Sequence, residues 1–110
     1  MMHESNTTIT ETRTQTEEGL VYEVRDGASV LLTIWDKGWN TYRARNGAFD
    51  ITASVAPYND YITVSRVIEY KQRDRAGRYR KGGKLQDASL RWLVWYLENH
   101  GFIRKPKVMK

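Results

Sequence analysis

GLVYEVRDGASVLLTIWDKGWNTYRARNGAFDITASVAPYNDYITVSRVIEYK (residues 19–71) decides the fold class, because its apolar residues recur at period two. Leu20, Tyr22 and Val24 alternate with Val21, Glu23 and Arg25, the pattern of a half-buried strand. Asp26-Gly27 supplies a hairpin turn. Segment 29–36 is apolar on both faces, with Val30, Leu32 and Ile34 on one and Leu31, Thr33 and Trp35 on the other, which predicts a central strand. Lys37-Gly38 closes it. A further strand is expected over 39–45, and Asn46-Gly47 is a second hairpin signal. In 48–56, Phe49, Ile51, Ala53 and Val55 point inward and Asp50, Thr52 and Ser54 outward. Pro57 to Asp60 form a turn. The strand over 61–71 is the longest, and its alternation slips between Val64 and Val67, which predicts a bulge or a change of buried face. The chain then returns through the turn at Ala76-Gly77 as a short strand over 78–85, loosened by Gly82-Gly83.

The period changes to helical beyond that point. Asp87 is a suitable N-cap. Leu90, Leu93, Val94 and Leu97 fall at i, i+3, i+4 and i+7 on one stripe. His100 occupies the last turn and Gly101 the stop. The expected fold is therefore α+β: an antiparallel sheet of about five strands followed by one C-terminal amphipathic helix. Residues 1–18, rich in Thr and Glu with Ile9 as the one aliphatic, read as a flexible acidic tail, with a weak edge strand as the competing reading. Residues 19–103 are the single α+β domain, and 104–110, broken by Pro106, a basic tail.

The chain has 110 residues and no cysteine. That length suits one small domain, and the lack of thiols excludes disulfides, a thiol nucleophile and Cys-based metal sites. His3 and His100 are the two histidines, too few for a histidine-rich metal centre and poorly placed for a catalytic triad. GRYRKGGK (77–84) does not match a phosphate-binding P-loop and lacks the strand–loop–helix order. No cofactor is expected and no enzyme activity. No apolar run reaches membrane-spanning length, and the first residues lack the basic-then-apolar pattern of a secretory signal. The expectation is a cytoplasmic protein without a membrane partner.

The net charge of +5 conceals an asymmetry. Residues 1–60 hold five basic and nine acidic side chains; residues 61–110 hold thirteen and four. KQRDRAGRYRKGGK (71–84) carries seven basic side chains and a single acid, Asp74. Such a run repels itself unless solvated or matched by an anion. Four of the seven are Arg, which favours bidentate phosphate contacts and stacking. Tyr70 and Tyr79 flank the turn, and aromatics among arginines suit single-stranded nucleic acid. The candidate nucleic-acid-binding residues are Tyr70, Lys71, Arg73, Arg75, Arg78, Tyr79, Arg80, Lys81 and Lys84, with Trp35, Trp39 or Tyr42 as further stacking positions. A solvated loop is the plain alternative.

On the helix, Trp92 falls nearly opposite the leucine stripe, with Trp95 and Tyr96 at its flanks. A helix apolar around most of its circumference needs cover on two sides. A second copy of the chain is the simplest cover, making Trp92, Trp95 and Tyr96 a homodimer interface. Phe102-Ile103 or the N-terminal segment folding over the tryptophans is the alternative.

The residues VIEYKQRDRAGRYRKGGKLQDASLRWL (67–93) resemble the transcriptional-coactivator PC4 family of single-stranded-DNA-binding proteins. Ile68 and Tyr70, Gly77, Lys81-Gly82 with Leu85, and Leu90, Trp92 and Leu93 occupy the roles of that family's strand, turn, Lys/Gly stretch and helix. The resemblance spans about residues 62–100. It implies a curved antiparallel sheet, a homodimer through the C-terminal helix, and bases lying on the sheet face, in a protein of transcription or replication. Two rival functions remain. One is a small interaction module or inhibitor that presents its basic hairpin to an acidic protein partner on a nucleic-acid-binding enzyme. The other is a metal-dependent nuclease using Glu69-x-Lys71 with Asp50 or Asp60, for which two carboxylates would hold a divalent cation.

Overall fold

The computed structural model describes residues 8–58 and 61–103. Seven strands follow one another as β1 (Ile9–Thr16), β2 (Gly19–Asp26), β3 (Ser29–Asp36), β4 (Thr41–Asn46), β5 (Phe49–Tyr58), β6 (Tyr61–Arg73) and β7 (Tyr79–Lys81). One helix, α1 (Gln86–Asn99), ends the fold. Every strand pairs antiparallel with its neighbours in sequence, so the sheet is a meander in the order β1 to β7.

The α+β class and the C-terminal helix match expectation, but the sheet has seven strands where about five were expected. The first addition is β1 over Ile9–Thr16, an edge strand, the competing reading to a flexible tail there. All eight of its residues are exposed, and all eight pair with β2. Its cohesion comes from polar partners that apolar periodicity does not register. Arg13 lies over the rings of Tyr22 (5.0 Å) and Phe102 (4.7 Å) and donates to the His100 carbonyl (2.7 Å). The Tyr22 hydroxyl donates to the Glu11 carboxylate and lies 2.9 Å from the Tyr96 hydroxyl. The first strand is thus clipped to the C-terminal end of the helix. The second addition is β7, a three-residue strand against Lys71–Arg73, shorter than the expected 78–85 because Gly82 and Gly83 both turn to positive φ.

The slip expected in the long strand is present as two irregularities in the β5–β6 ladder. They leave Ser65 and Ile68 without opposite partners. Together they return Val67 and Tyr70 to the face that Val64 and Ile62 already occupy. A third irregularity sits between β2 and β3 and displaces Leu31. This explains why segment 29–36 looks apolar on both faces: Leu32 and Ile34 enter the core, while Val30 and Leu31 stay exposed. At Gly19, a Cβ would stand 2.2 Å from the Asp36 carbonyl oxygen, so the β1–β2 turn meets β3 at a distance only glycine permits.

The core occupies one face of the sheet. Tyr22, Ile34, Ile51 and Val55 meet Leu93 and Leu97 of α1, all essentially removed from solvent. Leu90, Val94, Trp92 and Tyr96 pack at its margins, and Phe102 stands edge-on to Tyr22 and Tyr42. The helix therefore rolls toward Ser89, Leu93 and Leu97, and Trp92 does not point away from the sheet: its ring lies 5.4 Å from that of Phe49. Asp87 sits in the first turn rather than at the cap. Leu85 takes the cap position, and its carbonyl accepts from both the amide and the hydroxyl of Ser89. His100 is the C-cap, its ring stacked 3.8 Å from Tyr96, and Gly101 follows at positive φ. No helix among the described residues is long and apolar enough to cross a membrane. The expected basic tail, 104–110, lies outside the described residues, as do 1–7.

Leu93→Ala should lower unfolding free energy by about 2–5 kcal/mol, since it opens a cavity at the helix–sheet contact. Trp39→Ala should change it by no more than about 0.5 kcal/mol. Denaturant titration measures both. Burial pushes the Tyr22, Tyr42 and Tyr96 phenols above the ordinary value of 10.0. The hydrogen bond to Glu11 raises Tyr22 further. The unfolded chain therefore releases these protons first. Their contribution to stability is whole below pH 10 and is lost as pH climbs toward the folded values. Denaturant midpoints should fall as pH passes 10, less steeply for Tyr22→Phe.

Candidate nucleic-acid interface

With α1 on one side, the alternation of each strand sends the remaining side chains to an uncovered face. Thr10, Thr12 and Thr14 of β1 line it at one edge. Register then places Glu23 and Arg25 of β2, Thr33 and Trp35 of β3, Thr41, Arg43 and Arg45 of β4, and Asp50, Thr52 and Ser54 of β5 on the same side. Arg66, Glu69, Lys71 and Arg73 of β6 and Tyr79 and Lys81 of β7 lie on this face too, together with the apolar Val21, Val30 and Leu31 of β2 and β3. Its described charged groups are seven cations and three acids. Glu23 pairs with Arg25 at 2.5 Å, and Lys71 Nζ lies 3.7 Å from Glu69.

Asp50 organises the middle of this face. It is buried, at 7% exposure, a burial that Ser89 alone shares among the polar side chains of the described residues. Arg43 Nε and Nη2 donate to its two oxygens at 3.0 and 2.7 Å. Arg45 Nε approaches within 3.8 Å. The hydrogen bonds to Asp50 raise the Arg43 guanidinium above its ordinary value, so its charge is fixed. Both arginines also lie over aromatic rings: Arg43 Cζ is 4.5 Å from the centroid of Trp35, and Arg45 Cζ 4.1 Å from that of Tyr79. Tyr79 reaches across the sheet end and donates to the Asn46 carbonyl at 2.5 Å. Between these aromatics lies an open depression of about 460 Å³, bordered also by Thr33, Arg45, Asn46 and Arg73.

The expected binding residues are divided by the fold. Lys71, Arg73, Tyr79 and Lys81 share the uncovered face. Tyr70 does not: it alternates with Lys71 to the inward face, where it is 5% exposed and its hydroxyl meets Ser89 and Gln72. It cannot stack on a base. Tyr42 is likewise buried, its hydroxyl donating to the Phe102 carbonyl. Arg80 alternates to the helix side and pairs with Asp74 at 2.8 Å. Arg75 and Arg78 belong to the β6–β7 turn, and Lys84 is exposed before α1. Trp35 is on the face, whereas Trp39 stands at the β3–β4 tip, 98% exposed. Trp39 and Asn40 both hold positive φ, as does Gly38 before them.

Arg43 and Arg45 were not among the expected binding residues. The signal available was Arg-x-Arg on a strand followed by a lone outward acid at Asp50, but charge density drew attention to 71–84 instead. Of the residues considered for self-association, Trp92 and Tyr96 are engaged within the chain, their rings 5.1 Å apart. Trp95 remains 54% exposed beside a shallow depression bordered by Ile62, Val64, Leu90 and Val94.

Glu69 and Lys71 do lie on one face, but Asp50 is occupied by two arginines, and Asp60 is outside the described residues. Among the described residues no cluster of His, Asp or Glu is placed to hold a metal ion. Comparison of the chain with protein-family models, curated proteins and solved structures finds no match to any of them.

The turn carrying Arg75 and Arg78 is shaped by Asp74, whose Oδ1 accepts from the amides of Ala76 and Arg78 at 2.9 Å each. The Arg78 amide above all, with Ala76 and the Arg80 guanidinium, holds the Asp74 carboxyl below its ordinary value of 3.8. A depressed folded value means the ordering it provides is complete above pH 3.8 and disappears as pH falls through the lower value. The amide resonances of Ala76 and Arg78 should therefore be constant above about pH 5 and shift together in strong acid. Asp74→Asn should abolish that acid titration.

Proposed function

We propose that this protein binds single-stranded nucleic acid on the uncovered face of its sheet, without catalysis. The observation that carries the reading is the composition of that face: Arg43, Arg45, Lys71, Arg73 and Lys81 lie among the aromatic rings of Trp35 and Tyr79 and an open depression. Cations hold a phosphate backbone, and planar groups receive bases that a duplex would keep stacked. A pleated sheet presents its side chains at regular intervals along each strand, which suits an extended polymer. The resemblance of residues 62–100 to the PC4 family agrees with this reading. A homodimer through α1 would rest on Trp95 and the depression beside it.

A protein-interaction module is the second reading, and Trp39 favours it. A tryptophan that is 98% exposed at a left-handed tip gains nothing from its own chain and suits a partner's pocket. The two readings use different ends of the molecule.

Fluorescence anisotropy with a labelled single-stranded DNA tests the first. Log affinity should fall linearly with log salt, with a slope of about −0.7 per phosphate neutralised. Lys71→Ala and Lys81→Ala should each flatten that slope by about 0.7. Arg80→Ala should alter it less, because Arg80 faces the helix side. Salt-independent binding, or none, would remove the proposal. Trp39→Ala should leave DNA affinity unchanged.

A further inference from the structure

On the reading of the uncovered face as a single-strand site, we propose that Asp50 is a positioning residue that fixes Arg43 and Arg45 as two stacking planes for unstacked bases. The aromatic rings of that face are not its outermost flat surfaces. Arg43 Cζ lies over the Trp35 ring and Arg45 Cζ over the Tyr79 ring, at 4.5 and 4.1 Å from the ring centroids, within cation–π range. The ring face beneath each guanidinium is taken by the cation, so a base approaching from above meets the guanidinium first. The guanidinium groups themselves are planar, and their side chains remain 38% and 46% exposed. A planar cation stacked on an aromatic ring presents its second face to the next planar partner.

An arginine side chain in water samples many rotamers, and a plane that wanders gives little stacking energy. Asp50 removes that freedom. It takes two hydrogen bonds from Arg43 and stands 3.8 Å from Arg45, while its own carboxylate is largely shielded from water. The rings below and the carboxylate beside hold each guanidinium in two directions. This also explains an acid at the centre of a basic face. Its charge partly offsets the two arginines, so they serve base faces, whereas Lys71, Arg73 and Lys81 serve phosphates. Lys71 is the residue directly opposite Asp50 in the ladder, and Glu69 is two positions before it on the same face.

Arg43 and Arg45 are two residues apart on β4, hence about 6.7 Å along the strand. That is about twice the ~3.4 Å axial spacing of nucleotides in one stacked DNA strand. Bases on the two planes are therefore not stacked on each other. The expected ligand is an extended single strand with its bases splayed, and a duplex cannot engage the planes.

The test sets this geometry against simple electrostatics. Asp50→Asn preserves shape and removes one negative charge, so a charge-only surface would bind every polyanion more tightly. The positioning role requires the opposite for single strands. Affinity for a labelled oligothymidylate should fall about tenfold, while affinity for a duplex of equal length stays level or rises. Arg43→Lys and Arg45→Lys keep the charge and lose the plane. Each should weaken oligothymidylate binding about tenfold with the salt slope unchanged, which keeps the proposal falsifiable if Asp50→Asn fails to fold. Tighter oligothymidylate binding by Asp50→Asn, or lysine variants equal to the parent, would overturn the positioning role and leave the single-strand reading standing. A parent protein that binds neither nucleic acid would overturn both.

Discussion

A single helix of fourteen residues must cover a sheet of seven strands. The helix is about 21 Å long at 1.5 Å per residue. The sheet spans about 29 Å from first strand to last at 4.8 Å spacing. One such helix can close one face, and only with help. Phe102 extends the cover over Tyr22 and Tyr42, and Arg13 lies over the rings of Tyr22 and Phe102. The opposite face is left to solvent and to whatever binds there. The polar and charged character of Thr33, Arg43, Thr52 and Lys71 follows from that one-sidedness, as does the strict inward placement of Ile34, Ala44, Ile51 and Ala53.

The edges of the meander face a related problem, since an unpaired edge recruits foreign strands. Strand β1 presents Thr, Glu and Arg with no buried residue. Strand β6 is covered by β7 only over Lys71–Arg73, and the rest of its outer edge carries the two irregularities at Ser65 and Ile68 together with Arg66 and Glu69. Bulges and charges make such an edge a poor template. The same bulges decide which side chains in the middle of β6 reach the uncovered face. They exchange Arg66 and Val67, so that Val67 packs against the core and Arg66 joins the uncovered face, while Tyr70 keeps the side of Ile62 and Val64 and hydrogen-bonds Ser89 beneath α1. Edge protection and the outward placement of Arg66 are thus set by the same two extra residues.

Much of this was readable from residue order. The hairpin signals at Asp26-Gly27 and Asn46-Gly47, the alternation of 48–56, and the leucine stripe ending at Gly101 each correspond to the observed element. The departures share a cause. Strand β1 carries no apolar period because its cohesion comes from Glu11 and Arg13 reaching residues far along the chain. Trp92 looked free because the helix was oriented by its four aliphatics, whereas the roll toward Ser89 brings Trp92 onto Phe49. Arg43 and Arg45 escaped notice because nothing in local sequence shows that Asp50 and two aromatic rings converge on them.

The sequence by itself determined an antiparallel α+β domain with a C-terminal helix, because period and turn chemistry act between neighbours a few residues apart. It also determined the charge asymmetry, which is a matter of counting. Only the tertiary structure decided which cations and rings share a surface. That depends on bulge positions, on ladder register, and on which face the single helix covers. Each of these is settled by packing between residues distant in the chain, and a shift of one position sends a side chain to the opposite face.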